Sequence, residues 1–399
     1  MDFTLSTKVV QLQKRVSDFM NQHVYPIEKR VEDEMNVPGK EHTEPEILKE
    51  VRKRAKAEGL WNLFMPDEHY GKGLNVADYA PLCELMGRSF IGARAFNCMA
   101  PDTGNMEILA DFATPEQKKR WLEPCLEGTM RTCYSMTEPE TSGSDPTQLA
   151  TRAVREGDYY VINGHKWFTS GAIGASFAIA MVVTDPKAEA HRRASQIIVP
   201  TDTPGFNLVR AVPVMGHAGG GGHCEIIYKD CRVPVTSLLG EEGGGFAIAQ
   251  ARLGPGRIHH CMRTIGVAER ALELMCKRAA TRFTHGSVLA DKANVQQWIA
   301  DSRIEIDATR LMVMHAAWKI DTVGKREARQ EIAEIKVQAA NMVMHVLDRA
   351  IQLHGALGVS DDTPIARFWR ENRAMRIVDG PDEVHRMQIS RREVRRWKQ

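Results

Sequence analysis

The chain has 399 residues, 43% hydrophobic and 26% charged, with a formal net charge of +2. That length exceeds what one hydrophobic core organises, so two or three structural units are expected. Balanced charge argues against a general nucleic-acid or membrane-surface binder, and no apolar run approaches the ~20 residues that span a bilayer.

The first 130 residues read as a helical domain. Leu5, Val9, Leu12, Val16, Phe19 and Val24 recur at the spacing of an amphipathic helix. Thr114-Pro115-Glu116-Gln117 combines a cap, a first-turn proline and a capping-box glutamine, and Gly128 stops the helix that follows. No basic and apolar leader precedes this domain at Met1, and Trp397-Lys398-Gln399 is not a peroxisomal tripeptide. The expectation is an intracellular soluble protein, cytoplasmic if bacterial.

Between residues 131 and 243 the period changes. Tyr159–Ile162 and Lys166–Thr169 flank Asn163-Gly164, which predicts a two-residue hairpin. Further strands are predicted at Phe177–Val183, Gln196–Val199 and Glu225–Tyr228, giving a small antiparallel barrel or sandwich. Adjacent Trp167 and Phe168 should face opposite sides of their strand. Gly219-Gly220-Gly221-Gly222 lacks the strand-to-helix context of a dinucleotide fingerprint, so it reads as a mobile loop and a Rossmann domain is rejected.

The helical period returns over residues 244–399. Apolar stripes run through Ile258–Met275, Val295–Thr309 and Ile332–Ala350, as in a helical bundle. Gly254-Pro255-Gly256-Arg257 is expected to precede the first of these helices. The eight scattered cysteines form no Cys-x-x-Cys pair and read as reduced, mostly core thiols. His217, His223, His259, His260, His354 and His385 lack ligand spacing, so no metal is expected.

Several polar segments have ordinary explanations by residue type. Tyr134–Ser144 is a polar loop, Arg282 a surface arginine, and Gln352-Leu353-His354-Gly355-Ala356 a helix C-cap. Asp379-Gly380-Pro381-Asp382 is a helix N-cap followed by an early proline. Taken together, the Tyr134–Asp145 and Arg376–His385 runs, at their separation and between long helices, resemble the flavin-dependent acyl-CoA dehydrogenases. The resemblance covers nearly the whole chain and is closest in wording to the acyl-CoA dehydrogenase 10/11 branch. The fold it implies is α with a central β domain, in the order helical, β, helical.

The resemblance also implies roles. FAD would be held by Tyr134, Met136 and Thr137 along the isoalloxazine edge and by Trp167, Phe168 and Thr169 on its face. Arg282, Gln352, His354, Gly355 and Ala356 would serve its pyrophosphate and adenosine, in the family often across a subunit boundary, with Pro381 and Glu383 completing the set. A homodimer or homotetramer follows. Ser144, Gly254, Arg257 and Gly380 would meet the acyl-CoA substrate. Asp379 stands where most of the family has Glu, and would remove the α-proton while the β-hydride passes to flavin N5. Some members carry the base one position before the arginine, but that position here is Gly256, which has no proton acceptor. Electron-transfer flavoprotein is the implied acceptor, and fatty-acid β-oxidation or related acyl catabolism the context. Two alternatives share the fold: nitroalkane oxidases, which use an aspartate base, and DNA-binding flavoproteins, for which the basic run Arg391–Lys398 is short and interrupted by Glu393 and Trp397.

Overall fold

Phe177–Val183 carries seven apolar residues and forms a strand buried along its entire length. Around it the β unit is assembled, in a computed structural model that describes residues 4–398. The terminal readings at Met1–Phe3 and Gln399 lie outside the described residues. The chain divides into two units: Lys29–Met65 with Phe96–Pro255, and a second made of residues up to Glu28, Pro66–Ala95 and everything from Gly256 onward.

The β unit holds β1 (Thr132–Ser135), β2 (Arg152–Glu156), β3 (Tyr159–Ser170), β4 (Phe177–Val183), β5 (Ala194–Pro200), β6 (Phe206–Ala211), β7 (His223–Pro234) and β8 (Leu238–Leu239). They form one sheet in the order β6-β7-β3-β2-β4-β5-β8, with β1 also against β4. The antiparallel expectation needs correcting, because β1–β4 and β2–β4 are parallel pairs and the sheet is mixed. β2 and β3 lie in the crossover that parallel neighbours require. Tyr160, Ile162, Ala178, Val182, Ile197, Val199 and Ile226 pack its core.

The hairpin predicted at Asn163-Gly164 does not form. β3 continues through it with a register irregularity, and the turn into β3 uses Gly157 instead (φ 60). Asn163 spends its amide on β7, accepting from the Asp230 N–H at 2.8 Å and donating to the Asp230 carboxylate at 3.1 Å. Gly164 is required by proximity: a Cβ there would lie 2.6 Å from Thr151 Cα. The dipeptide therefore serves a bulge where strands press together, not a turn.

Gly219–Gly222, read as a mobile loop, is hydrogen-bonded to the chain beside it. Gly222 O accepts from Gly171 N at 2.7 Å, Gly221 O from Ile173 N at 2.9 Å, and Gly220 O from Arg131 Nη2 at 3.1 Å. A Cβ on Gly221 would sit 2.7 Å from Ile173 O, so backbone contact demands glycine there. The Thr114 capping box forms as read, and Gly128 ends its helix at φ 77. Gln117 also donates to Thr236 O and Leu238 O, at 2.8 and 2.9 Å, tying that helix to β8.

The helical unit contains Thr7–Phe19, Val76–Gly87, Ala293–Val323, Arg329–His354, Pro364–Arg373 and Asp382–Arg395. Val9, Leu12, Val16, Phe19 and Val24 are buried as the stripe predicts, as are Ile258, Cys261, Ile265, Ala268, Leu272 and Met275. Seven of the eight cysteines are buried and all are unbridged. Gly254-Pro255-Gly256 does not precede a helix, contrary to expectation. It lies inside one, Gly245–Thr281, which carries Pro255 in its interior. Further along this helix, a Cβ on Gly266 would fall 2.0 Å from Glu84 O, so two helices touch backbone to backbone there. The final helix ends at Arg395 with Trp397 largely exposed beyond it, a solvated helix end. No helix among the described residues is long and apolar enough to cross a membrane.

Candidate active site

Asp379 and Gly380 both have left-handed backbones, at φ 55 and 98. Two such residues in succession reverse the chain sharply. Aspartate tolerates this region better than longer or branched side chains, which gives a local reason for the shorter acid. Gly380 suits its φ of 98, and a Cβ there would lie 2.9 Å from His385 Nε2, so that ring would have to shift. The N-cap reading of Asp379 fails: the helix begins at Asp382, its N-cap is Pro381, and no side chain caps it.

Asp379 is instead gripped through its backbone. Its carbonyl accepts from Arg257 Nε at 2.9 Å and lies 3.3 Å from His385 Nε2. Its carboxylate Oδ2 is 3.4 Å from His260 Nε2, with one fifth of the Asp379 side chain exposed. A Cβ built on Gly256 would meet only that oxygen, at 3.7 Å. Positions 256 and 379 thus adjoin the same space, and glycine at 256 leaves it open.

Below the turn lies a buried polar cluster. The Asp382 carboxylate is almost fully covered and accepts from Asn341 Nδ2 and Arg376 Nε, both at 3.0 Å. Lys336 is fully buried and donates to Met375 O. Burial lowers its pKa, opposed by Cys261, Asp379 and Asp382. Burial, with the charges of Arg257 and Lys336, pushes His385 down to about 4, so its ring is neutral near pH 7. Between that value and the ordinary histidine pKa the unfolded chain holds the extra proton. Acidification through that window therefore costs stability.

In the β unit, two predicted cofactor segments come together. Trp167 N donates to Thr137 O at 3.0 Å, and the Ser135 and Thr169 hydroxyls are 3.2 Å apart. Phe168 sits on a bulge at φ 49, which overturns the opposite-face expectation: its ring meets Trp167 edge-on, centroids 4.9 Å apart. Thr169 is consequently turned fully inward. Tyr134 is buried too, accepting from Gln196 and lying under the Arg252 guanidinium. Met136 packs against the small cluster of Met181, Ala194 and Ala249.

The loop leaving β1 is anchored by a buried ion pair that the sequence reading missed. Lys166 Nζ donates to Glu138 Oε1 at 2.8 Å and to Met136 O at 2.7 Å. Glu138 also accepts from the Ala150 and Thr151 N–H groups, at 2.7 and 2.9 Å. Burial pulls Lys166 down to about 8 despite Glu138. Burial alone would raise Glu138, but the Lys166 charge and these hydrogen bonds hold it below the usual range.

A flavin ring needs an aromatic wall and edge donors. The exposed Phe168 ring, the half-buried Thr137 and the buried Trp167 indole N–H, which has no hydrogen-bond partner, fit that requirement. Arg282 is exposed just past the long helix, Gln352 and Ala356 are exposed, and Gly355 closes its helix at φ 63 while buried His354 contacts Ala350 O. Ser144 is exposed and pairs with Ser142, the Gly254 surroundings are open, and Glu383 projects outward beside half-buried Pro381. Sequence reasoning also missed His260, His385 and Lys336. The one available signal was three-residue spacing of Arg257, His260 and Arg263, which places them on one helix face.

Three family models cover the chain: the acyl-CoA dehydrogenase N-terminal domain over residues 6–129, middle domain over 133–231 and C-terminal domain over 243–394. The chain is 52% identical to a probable acyl-CoA dehydrogenase, FadE2, of Mycobacterium tuberculosis, across all of this chain and 98% of that protein. It is 46% identical to acyl-CoA dehydrogenase family member 11 of Gallus gallus, covering 98% of this chain but only 51% of that one. The chain thus spans about half the length of this vertebrate relative. A putative acyl-CoA dehydrogenase from Mycobacterium abscessus superposes with a TM-score of 0.96 at 44% identity, over 99% of this chain and all of the other. Butyryl-CoA dehydrogenase from Megasphaera elsdenii gives 0.84 at 27%, with the same coverage. The chain belongs to the acyl-CoA dehydrogenase family, flavoenzymes that act on the CH–CH bond of acyl-CoA.

Proposed function

We propose that this protein carries out α,β-dehydrogenation of an acyl-CoA thioester, with Asp379 as the base and FAD as its cofactor. The observation that carries the reading is the Asp379 carboxylate itself. It stands on a doubly left-handed turn, is not spent on capping, and adjoins the opening left by Gly256.

Bound FAD would supply the hydride acceptor. The chain's residues account for the rest. Asp379 takes the α-proton, and covering of its partly exposed carboxylate by substrate would raise its basicity by desolvation. Arg257 and His385 hold the turn by its carbonyl. Trp167, Phe168 and Thr137 would wall and bond the ring, while the Glu138–Lys166 pair fixes the loop that presents Thr137. Arg282 and the Gln352–Ala356 segment would serve the pyrophosphate and adenosine, and Ser144 the CoA portion. This reading also takes residues 1–130, 131–243 and 244–399 as domains, a homo-oligomer as the working form, and electron-transfer flavoprotein as acceptor in acyl catabolism.

Purification is the first test: the protein should be yellow, with one non-covalent FAD per chain. Arg282→Ala should weaken FAD retention roughly tenfold, because a charge-assisted bond to phosphate of about 1.5–3 kcal/mol is lost. Flavin content after gel filtration measures this. Full occupancy in the variant at unchanged oligomeric state removes Arg282 from the cofactor site.

A further inference from the structure

We propose that His260 is a positioning residue for Asp379, a neutral imidazole whose Nε2 stands beside the carboxylate because Arg263 holds its other nitrogen. The inference rests on the reading of Asp379 as the base, and deepens it.

The tautomer follows from donor chemistry. A guanidinium has N–H donors and no acceptor. Arg263 Nη2 lies 3.0 Å from His260 Nδ1, so that nitrogen must present its lone pair. The neutral ring's proton is then on Nε2, the atom 3.4 Å from Asp379 Oδ2. Protonating Nδ1 would set two donors and two positive charges against each other, and Arg263 is itself nearly buried. His260 is thereby kept neutral and oriented, acting as a fixed donor and not as a second base.

The arrangement is built on one helix face. Arg257 takes the Asp379 carbonyl, His260 approaches its carboxylate, and Arg263 stands behind His260, at successive steps of three. Neighbouring His259 is buried edge-on against Tyr79, and the charge of Arg263 bears on it too. The same side chain thus meets a backbone clamp and a side-chain guide from one rigid element. Other ionisable groups around Asp379 include Arg257 and Cys261 on that helix, Lys336 on Arg329–His354, and His385 on the last helix. Asp382, with Arg376 beside it, acts on Lys336 and His385.

A donor to the carboxylate favours its charged form, so losing it raises the pKa of the base. Anaerobic flavin reduction by acyl-CoA, followed against pH, reads this directly. His260→Leu should move the acidic limb up by about one pH unit. It should also lower the plateau rate several-fold, with little change in apparent substrate affinity. His260→Gln, whose amide can donate from a similar reach, should bring the limb back toward the native position. Side-chain ¹⁵N spectra of histidine-labelled protein, assigned by loss of the signal in His260→Gln, should give the Nε2–H tautomer. An unmoved acidic limb in His260→Leu, or an Nδ1–H tautomer, overturns the proposal. Asp379→Asn run in parallel separates the two levels. If that variant reduces flavin normally, the base assignment itself is wrong; if it is inactive while His260→Leu keeps the native profile, only the role of His260 falls.

Discussion

Asp379→Asn is expected to retain FAD and to bind acyl-CoA, yet to reduce its flavin about 10²–10⁴-fold more slowly than the native chain. The substitution preserves size and the Arg257 and His385 contacts, because both go to the backbone carbonyl. Asparagine also tolerates the left-handed backbone at this position (φ 55), so the turn should survive. What disappears is the only proton-accepting function of the side chain. Stopped-flow reduction by substrate measures the effect, and an unchanged rate would reassign the base. Asp379→Glu adds one methylene at a strained backbone position, directed at the space beside Gly256. Partial activity with an altered preference among acyl chains is expected.

Lys166→Met should destabilise the β unit by about 3–5 kcal/mol, since removing one partner leaves a buried charge uncompensated. The consequence is local as well as global. Glu138 fastens the chain at Met136, Ala150 and Thr151 through Lys166 and two backbone N–H groups, so the Thr137 segment loses its anchor. Flavin retention should fall together with stability. The pH dependence has a definite sign. Glu138 is held below its unfolded pKa, so its contribution is present at neutral pH and lost as pH falls through the folded value. Denaturant unfolding of native and variant protein at several pH values measures both effects. A loss of less than about 1 kcal/mol would mean the pair is replaceable by packing alone.

Much of this fold was legible because period and capping are local. The Val9–Val24 stripe, the Thr114 capping box, the Gly128 stop and the strand at Phe177–Val183 follow from short-range chemistry. Failures came where long-range packing decides. Asn163-Gly164 has the composition of a hairpin turn, but Asp230, distant in sequence, captures the asparagine amide and the Thr151 backbone demands the glycine. Pro255 reads as a helix boundary, yet the helix continues through it. Trp167 and Phe168 should alternate, but a bulge at Phe168 brings their rings together.

The candidate site divides in the same way. Asp379 and Arg257 could be singled out from their surrounding wording, and the helical unit brings them into contact. His260, Lys336 and Glu138 could not, because a histidine, a lysine and a glutamate acquire meaning only from what is packed beside them. Sequence spacing put His260 on the face of Arg257, but nothing local said that residue 379 would meet that face.

One measurement bears most directly on the proposed chemistry: anaerobic spectral titration of the purified protein with acyl-CoAs of several chain lengths, beside nitroethane. At least one acyl-CoA should bleach the flavin band stoichiometrically while nitroethane leaves it unchanged. Bleaching by nitroethane alone, or a protein that binds no flavin, would contradict the account.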